Sequence, residues 1–135
     1  MAENIRLEVV TPEKSVVSES AQIVMAPGSL GEFGVLSGHT PFLTTLKTGA
    51  LKYKDESGSE HFVFLSSGFA EALPDRVTVL AESAERRKDI DVQRAKAAAE
   101  RAEQRIQSSE KDVDFIRAKA ALLRAISRIQ LAETR

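Results

Sequence analysis

The sequence predicts an α+β chain in two parts: an N-terminal antiparallel β-sandwich or flattened barrel, followed by a C-terminal antiparallel two-helix hairpin. Two observations predict this class. All seven glycines and all four prolines of the 135 residues lie before residue 75, whereas alanine dominates afterwards. The net charge changes in the same region, from −5 over residues 1–84 to +4 over residues 85–135. We therefore expect a sandwich domain at 1–84 and a helical domain at 85–135.

Short segments of the first part are typical of strands, and residues 5–9 alternate apolar and polar side chains, which is the period-2 pattern of a half-buried strand. Such segments lie at 5–9, 21–25, 51–54, 61–65 and 76–80. The third and fourth flank turn-forming residues at 55–59, which predicts a β-hairpin. Many short strands without a helical pattern between them favour a sandwich or a flattened barrel.

The second part follows the helical period. We expect Asp91 to cap a first helix that ends near Gln107, and Asp112 to cap a second helix. The expected buried face of the first helix consists of Ala95, Ala98, Ala99, Ala102 and Ile106. That of the second consists of Phe115, Ile116, Lys119, Leu122, Leu123, Ile126 and Ile129. Because alanine buries little area, we expect the two helices to be held together weakly.

Candidate catalytic and metal-binding residues are few. The chain has no cysteine and two histidines, His39 and His61. His39 lies in a glycine-rich loop and has no nucleophile partner in the sequence pattern, which favours a structural or contact role. His61 begins a strand, has no acidic residue or histidine at ligand spacing, and is interpreted as an ordinary strand residue. We therefore predict no catalytic residue and no metal site.

The glycine-rich segment 28–38 lacks the Gly-Lys-Ser/Thr ending of a phosphate-binding loop, and no helical pattern follows it. It is interpreted as a loop within a sheet protein. Its apolar residues are Leu30, Phe33, Val35 and Leu36. They either fold back into the core or form a docking surface, and the sequence leaves both alternatives open.

Membrane insertion and nucleic-acid binding are not expected. No apolar run approaches the roughly 18 residues of a membrane span, and the N-terminus lacks the layout of a signal peptide. These features predict a soluble, cytoplasmic chain without lipid insertion. Basic residues of the second part alternate with acidic ones, as on a solvated helix. Arg117, Arg124 and Arg128 share one helix face, which meets either an acidic partner or solvent.

Several short sequence motifs of one protein family occur along the chain in the order in which that family has them. Residues 31–43, followed by Lys47-Thr48-Gly49, match a Gly-x-x-Gly-x-Leu-x-x-His-x-Pro pattern with a trailing Lys-x-Gly. Further matching segments lie at 7–12, 77–81, 90–95 and 112–114. With these motifs, nearly the whole chain resembles the epsilon subunit of bacterial F-type ATP synthase.

The resemblance implies a non-catalytic rotor-stalk subunit of a proton-translocating complex, which couples ring rotation to ATP synthesis. The implied partners are the gamma subunit, the membrane rotor ring, and the alpha and beta subunits of the catalytic head. It also implies a monomer when isolated, and a peripheral position at the cytoplasmic face of the bacterial plasma membrane. The loop implied to contact the ring or gamma carries Gly31, Glu32, Phe33 and His39.

The hairpin is implied to be regulatory. It would extend along gamma into the catalytic head and inhibit ATP hydrolysis. The row of Arg117, Arg124 and Arg128 then resembles the basic row that meets acidic residues of the beta subunits. Arginines that face carboxylates would be attracted electrostatically.

A second motif concerns nucleotide binding. Glu85, Ile90, Asp91, Arg94 and Arg101 resemble the ATP-binding residues of some epsilon subunits. Arg94 and Arg101 are seven residues apart, share a helix face, and could both reach phosphates. Alternatively, Asp91 only caps the helix and both arginines are solvated. No cofactor is expected to be required, regulatory ATP stays open, and a stand-alone ATP-sensing regulatory module is the alternative function.

Overall fold

The computed structural model describes residues 3–108 and 114–134. The chain divides into two compact units, Met1–Arg87 and Lys88–Arg135. The boundary lies three residues beyond the one expected from composition. A last short strand, Ala84–Arg86, pairs with a strand of the first unit and therefore belongs to it.

The first unit is a small β-barrel. Its described strands are β1 (Ile5–Val10), β2 (Ser15–Gly28), β3 (Gly31–Val35), β4 (Phe42–Asp55), β5 (Glu60–Leu73), β6 (Arg76–Ala81) and β7 (Ala84–Arg86). The order is β1-β6-β5-β4-β2, and β2 also pairs with β1, which closes the barrel. Strand β3 extends from β2, and β7 extends from β5. The predicted fold class is confirmed, although β1 and β6 are parallel rather than antiparallel.

The core lies inside this barrel. The parallel register pairs Leu7 with Val77 and Val9 with Val79, and all four side chains are buried. Alternate residues of β1 are therefore inside, as the period-2 pattern predicted. Tyr53 is among the largest fully buried side chains. Because it carries a hydroxyl group, its burial requires hydrogen-bond partners.

The second unit consists of two contacting helices, α1 (Val92–Gln107) and α2 (Phe115–Glu133). A 3-10 turn, Arg87–Asp89, precedes α1. The predicted cap is confirmed, because the Asp91 side chain accepts a hydrogen bond from the Arg94 backbone N–H at 3.0 Å. Asp114 caps α2. The expectation that Asp112 does so is wrong for the described helix, and Asp112 itself lies outside the described residues.

The buried face of α1 agrees with expectation, whereas that of α2 does not. Ala95 and Ala102 are buried on α1, and Ala98, Ala99 and Ile106 are partly buried. On α2 the buried residues are Ala118, Ala125 and Leu131, with Leu122 and Ile129 partly buried. Of the residues expected to be buried, Phe115, Ile116, Lys119, Leu123 and Ile126 are exposed. Small alanines allow two helices to approach closely, so the alanine face of α2 is buried while bulkier residues lie elsewhere.

Candidate functional site

The segment interpreted as a glycine-rich loop is partly a hairpin. Strand β3 pairs with β2 from Gly28↔Gly31 to Val24↔Val35, so residues 31–35 form a strand rather than a loop. Gly31 has a φ of +138°, which glycine adopts readily. Some apolar residues of this segment fold into the core, and others are exposed as a docking surface would require. Val35 is in the core, whereas Leu30 at the turn is fully exposed.

Two aromatic residues and a histidine hold the segment that follows β3. The ring centroids of Phe33 and Phe42 are 5.1 Å apart at 83°, and those of His39 and Phe42 are 5.0 Å apart at 61°. His39 Nδ1 lies 2.7 Å from the Thr40 carbonyl oxygen, to which it donates in that tautomer. Phe33 on β3 and His39 in the following loop are thus half-buried, while Glu32 on β3 and Leu36 just after it are exposed.

An apolar groove lies on the outside of the barrel, and sequence reasoning missed it. Its volume is about 690 Å³, and its lining is mostly apolar. Phe69 on β5 is the cross-strand neighbour of Leu80 on β6, and both are more than half exposed. Pro12 lines another side, and Glu82 adds a carboxylate. We call this surface the β5–β6 groove.

The candidate arginine row lies on α2. Arg117 is exposed, and Arg124 and Arg128 are partly exposed. Ile116 and Leu123, which neighbour the first two in sequence, are 84% and 52% exposed. The described part of α2 therefore presents apolar and cationic side chains together.

The candidate ATP-binding residues belong to both units. Glu85 is part of β7 in the barrel, while the other four lie in the second unit. Asp91 is engaged as the cap of α1, and Ile90 is buried. Arg94 and Arg101 are exposed on α1, and neither forms an ion pair with another described residue.

A polar side-chain cluster surrounds the turn between β4 and β5. His61 Nε2 lies 2.8 Å from Asp55 Oδ2, so the interpretation of His61 as a residue without a nearby carboxylate is wrong. Glu19 of β2 is the third member, and one potential ligand atom of each residue lies within 4.8 Å of the others. The predicted β-hairpin could have indicated that Asp55 and His61 lie close together, because its turn at 55–59 brings residue 55 near residue 61.

Tyr53 connects this cluster to the barrel interior. Its ring stacks on His61 with centroids 4.8 Å apart, and its hydroxyl accepts a hydrogen bond from Arg86 Nη1 at 2.9 Å. Burial, together with the hydrogen bond to Glu19, raises the pKa of Tyr53 to about 12, although Arg86 acts in the opposite direction. Hydrogen bonds from Ser57 and His61 hold the pKa of the Asp55 carboxyl well below its ordinary value.

The chain is thus a two-part protein, in which a β-barrel with an apolar groove is followed by an alanine-faced helix pair with exposed arginines. Both units match one family. Residues 4–87 match the ATP synthase, Delta/Epsilon chain, beta-sandwich domain, and residues 88–133 match the long alpha-helix domain of the same chains.

Relatives with high identity carry the same description. The ATP synthase epsilon chain of Desulfosudis oleivorans is 72% identical over 108 residues, which is 80% of this chain and 81% of the relative. That of Desulfatibacillum aliphaticivorans is 67% identical over 110 residues, 82% of this chain and 78% of the relative. The chain therefore belongs to the epsilon subunits of bacterial F-type ATP synthase, as the residues of the 31–49 segment indicated.

Solved structures agree with this assignment. A chain in the Euglena gracilis mitochondrial ATP synthase OSCP/F1/c-ring structure has a TM-score of 0.80 and 25% identity, over 92% of this chain and 78% of that chain. A chain in the Tetrahymena thermophila central stalk/c-ring structure shares the fold, with a TM-score of 0.57 and 17% identity over 97% and 95% of the two chains. The chain is thus a stalk subunit of the complex. Neither described helix is both long and apolar enough to span a bilayer.

Proposed function

We propose that this chain couples the rotation of a membrane ring to ATP synthesis and restrains ATP hydrolysis, without an active site of its own. The observation that supports this most directly is that the barrel exposes two separate apolar surfaces. One is the β5–β6 groove, and the other is the loop tip at the β2–β3 turn, where Leu30 is fully exposed. Two docking surfaces suit a subunit that is held between two partners.

The gamma subunit is the proposed occupant of the β5–β6 groove. Phe69 and Leu80 stand side by side across the two strands, with Pro12 on the rim. Large apolar side chains in a concave surface are typical of protein interfaces. Burial of these apolar side chains against a partner would favour such a complex, which suits a permanent partner within the stalk.

The rotor ring is the proposed partner of the loop tip. Leu30 is fully exposed at the β2–β3 turn, with Glu32 exposed beside it. Phe33 on β3 contacts Phe42 edge-on, and Gly38 N–H in the segment after β3 donates to the Pro74 carbonyl at 2.7 Å. These contacts tie β3 and the segment that follows it to the rest of the barrel. The similar chain from Euglena gracilis belongs to a mitochondrial ATP synthase assembly that contains the c-ring.

The helix pair is the proposed inhibitory element. Its buried face consists largely of alanine, so separation of α1 from α2 exposes little apolar area and costs little free energy. Exposed Ile116 and Leu123, together with Arg117 and Arg124, give α2 the means to enter a partner surface that carries carboxylates. The beta and alpha subunits of the catalytic head are the partners inferred here. Attraction between arginines and carboxylates would weaken as salt increases.

Binding of ATP as a regulator is the second candidate function, and the exposed Arg94 and Arg101 favour it. Two guanidinium groups on one helix face can bind a polyphosphate by charge-assisted hydrogen bonds. Bound ATP would then stabilise one position of the helix pair. A stand-alone ATP-sensing module would behave differently, because it would bind ATP without affecting the catalytic head.

We place the chain at the cytoplasmic face of the membrane, as a peripheral component of the complex.

The test is ATP hydrolysis by a reconstituted catalytic head with gamma and either the full chain or a version that ends at Arg87. This end follows β7, so the barrel keeps every described strand. We expect both versions to bind gamma and only the full chain to suppress hydrolysis. Equal hydrolysis with both versions would refute the inhibitory helices, and failure of both to bind gamma would refute the docking proposal.

A further inference from the structure

The cluster of Glu19, Asp55 and His61 on the barrel plays no part in the proposed coupling function. The three residues come from β2, the end of β4 and the start of β5, so they join three strands of the barrel. One carboxylate or imidazole atom of each lies within 4.8 Å of the others. Two carboxylates and one histidine on a rigid sheet form a recognisable set of metal ligands.

Asp55 and His61 are oriented by other contacts. Asp55 Oδ1 accepts hydrogen bonds from Ser57 N–H at 2.9 Å and from Ser59 N–H at 3.0 Å, which leaves Oδ2 directed at His61. The His61 ring is fixed by its stacking on Tyr53. Asp55 Oδ2 and His61 Nε2 are 2.8 Å apart. Ligands that bond Zn²⁺ at about 2.0–2.2 Å lie roughly 3–3.5 Å from one another. A bound ion would therefore replace the hydrogen bond of this pair and draw the Glu19 carboxylate closer.

Glu19 supplies an independent observation. Its Oε1 atom is shut off from solvent and has no hydrogen-bond partner among the described residues. Its carboxylate also lies near the Tyr53 hydroxyl, whose pKa it raises. A buried carboxylate oxygen without a partner costs free energy, because it has lost its hydration without compensation. A cation beside this oxygen would remove that cost.

There is also room for the ion and for water. A polar cavity of about 430 Å³ adjoins the cluster, and Glu19, Asp55 and Ser57 line it. The His61 and Asp55 side chains are 33% and 22% exposed, so an ion can enter from solvent. Arg6, which also lines the cavity, is engaged with Glu8 and Ser18, and Arg86 is engaged with Tyr53.

We propose that Glu19, Asp55 and His61 bind a divalent transition-metal ion of the Zn²⁺ class, with water from the cavity completing its coordination. Two carboxylates and one neutral imidazole balance the charge of such an ion. Imidazole and carboxylate ligands suit Zn²⁺ and Co²⁺ better than Mg²⁺ or Ca²⁺, which prefer oxygen ligands alone. The ion would link β2 to the β4–β5 hairpin.

The test is calorimetric titration of the full, untagged chain with Zn²⁺, with Co²⁺ as a spectroscopic probe. We expect one ion per chain and a visible Co²⁺ absorption band that reports nitrogen and oxygen ligands. His61→Gln and Glu19→Gln are each expected to weaken binding more than about tenfold. His39→Gln is the matched control, because it removes the other histidine and leaves the cluster intact.

The outcomes separate clearly. Absence of saturable binding to the unaltered chain would overturn the proposal, as would binding that survives His61→Gln or that is lost in His39→Gln. Circular dichroism of each variant shows whether the barrel is folded. Glu19→Gln keeps the size of the side chain and one acceptor oxygen but removes the charge, so it tests the ligand set even if His61→Gln perturbs the hairpin.

Discussion

The α-carbon of Gly68 on β5 lies directly against the carbonyl group of Leu80 on β6. A Cβ atom on Gly68 would lie 2.0 Å from the Leu80 carbonyl oxygen and 2.9 Å from the Ala81 Cα. The φ angle of Gly68 is +149°, and its neighbour Ser67 also has a positive φ of 89°. This close approach brings the two strands together at the floor of the β5–β6 groove, where a larger residue does not fit.

Gly68→Ala is therefore expected to destabilise the barrel by about 2 kcal/mol or more, because the clash is with backbone and the φ angle is strained for alanine. Denaturant unfolding followed by circular dichroism measures this change. Gly34→Ala is the control, since its Cβ would meet Met25 Sδ at an ordinary 3.5 Å. Equal destabilisation by both substitutions would contradict the role assigned to the Gly68–Leu80 contact.

Substitutions that introduce a single charge can distinguish the functions of the two proposed docking surfaces. Leu80→Glu places a carboxylate in the β5–β6 groove and is expected to weaken gamma binding at least tenfold, because the charge must be desolvated at the interface. Leu30→Glu places the same charge at the loop tip and is expected to leave gamma binding unchanged while weakening attachment to the ring. Both residues are exposed, so neither change disturbs the core.

Pull-down of gamma and co-purification with the membrane ring measure the two effects. If Leu30→Glu abolishes gamma binding while Leu80→Glu does not, the assignment of the two surfaces is reversed. If neither variant affects either partner, the apolar surfaces of the barrel are not the docking sites.

The hairpin between β4 and β5 was predictable because local signals agree there. Strand-forming residues on both sides of the turn-rich segment 55–59 specify one pairing. Strand β3 was missed because Gly31 and Gly34 suggest a loop, and their strand conformation depends on pairing with β2. The groove was not predictable, since Phe69 and Leu80 become neighbours only through the register of β5 with β6. On α2, burial of alanines rather than of larger residues is set by contact with another element, which periodicity alone does not reveal.

Tyr53 should make stability depend on alkaline pH. Its pKa is about 12 in the folded chain and 10.0 ordinarily, so the unfolded state loses the phenol proton first. The unfolded state then binds fewer protons between these values, and the stabilising contribution, complete below pH 10, is lost as pH rises towards 12. The protein is treated with a chelator before the measurement, so that bound metal does not affect the result.

This titration is easy to observe, because the chain contains one tyrosine and no tryptophan. Phenolate absorbance reports Tyr53 directly, and denaturant unfolding at each pH reports stability. Tyr53→Phe is expected to reduce the pH dependence over this range. An ordinary tyrosine titration in the folded chain would contradict the account of its burial and its bond to Glu19.

The alanine face of the helix pair makes a prediction about both stability and regulation. Ala102→Leu adds three carbons to a buried position of α1 and is expected to destabilise the pair by about 1–3 kcal/mol through overpacking. Ala97→Leu is the matched control, because it makes the same change at an exposed position of the same helix. Hydrogen exchange of the α1 and α2 amides should quicken in the first variant and not in the second. If the released helices are the inhibitory element, Ala102→Leu should also strengthen inhibition of ATP hydrolysis in the reconstituted head. Faster exchange without a change in inhibition would separate the packing of the helices from their regulatory role.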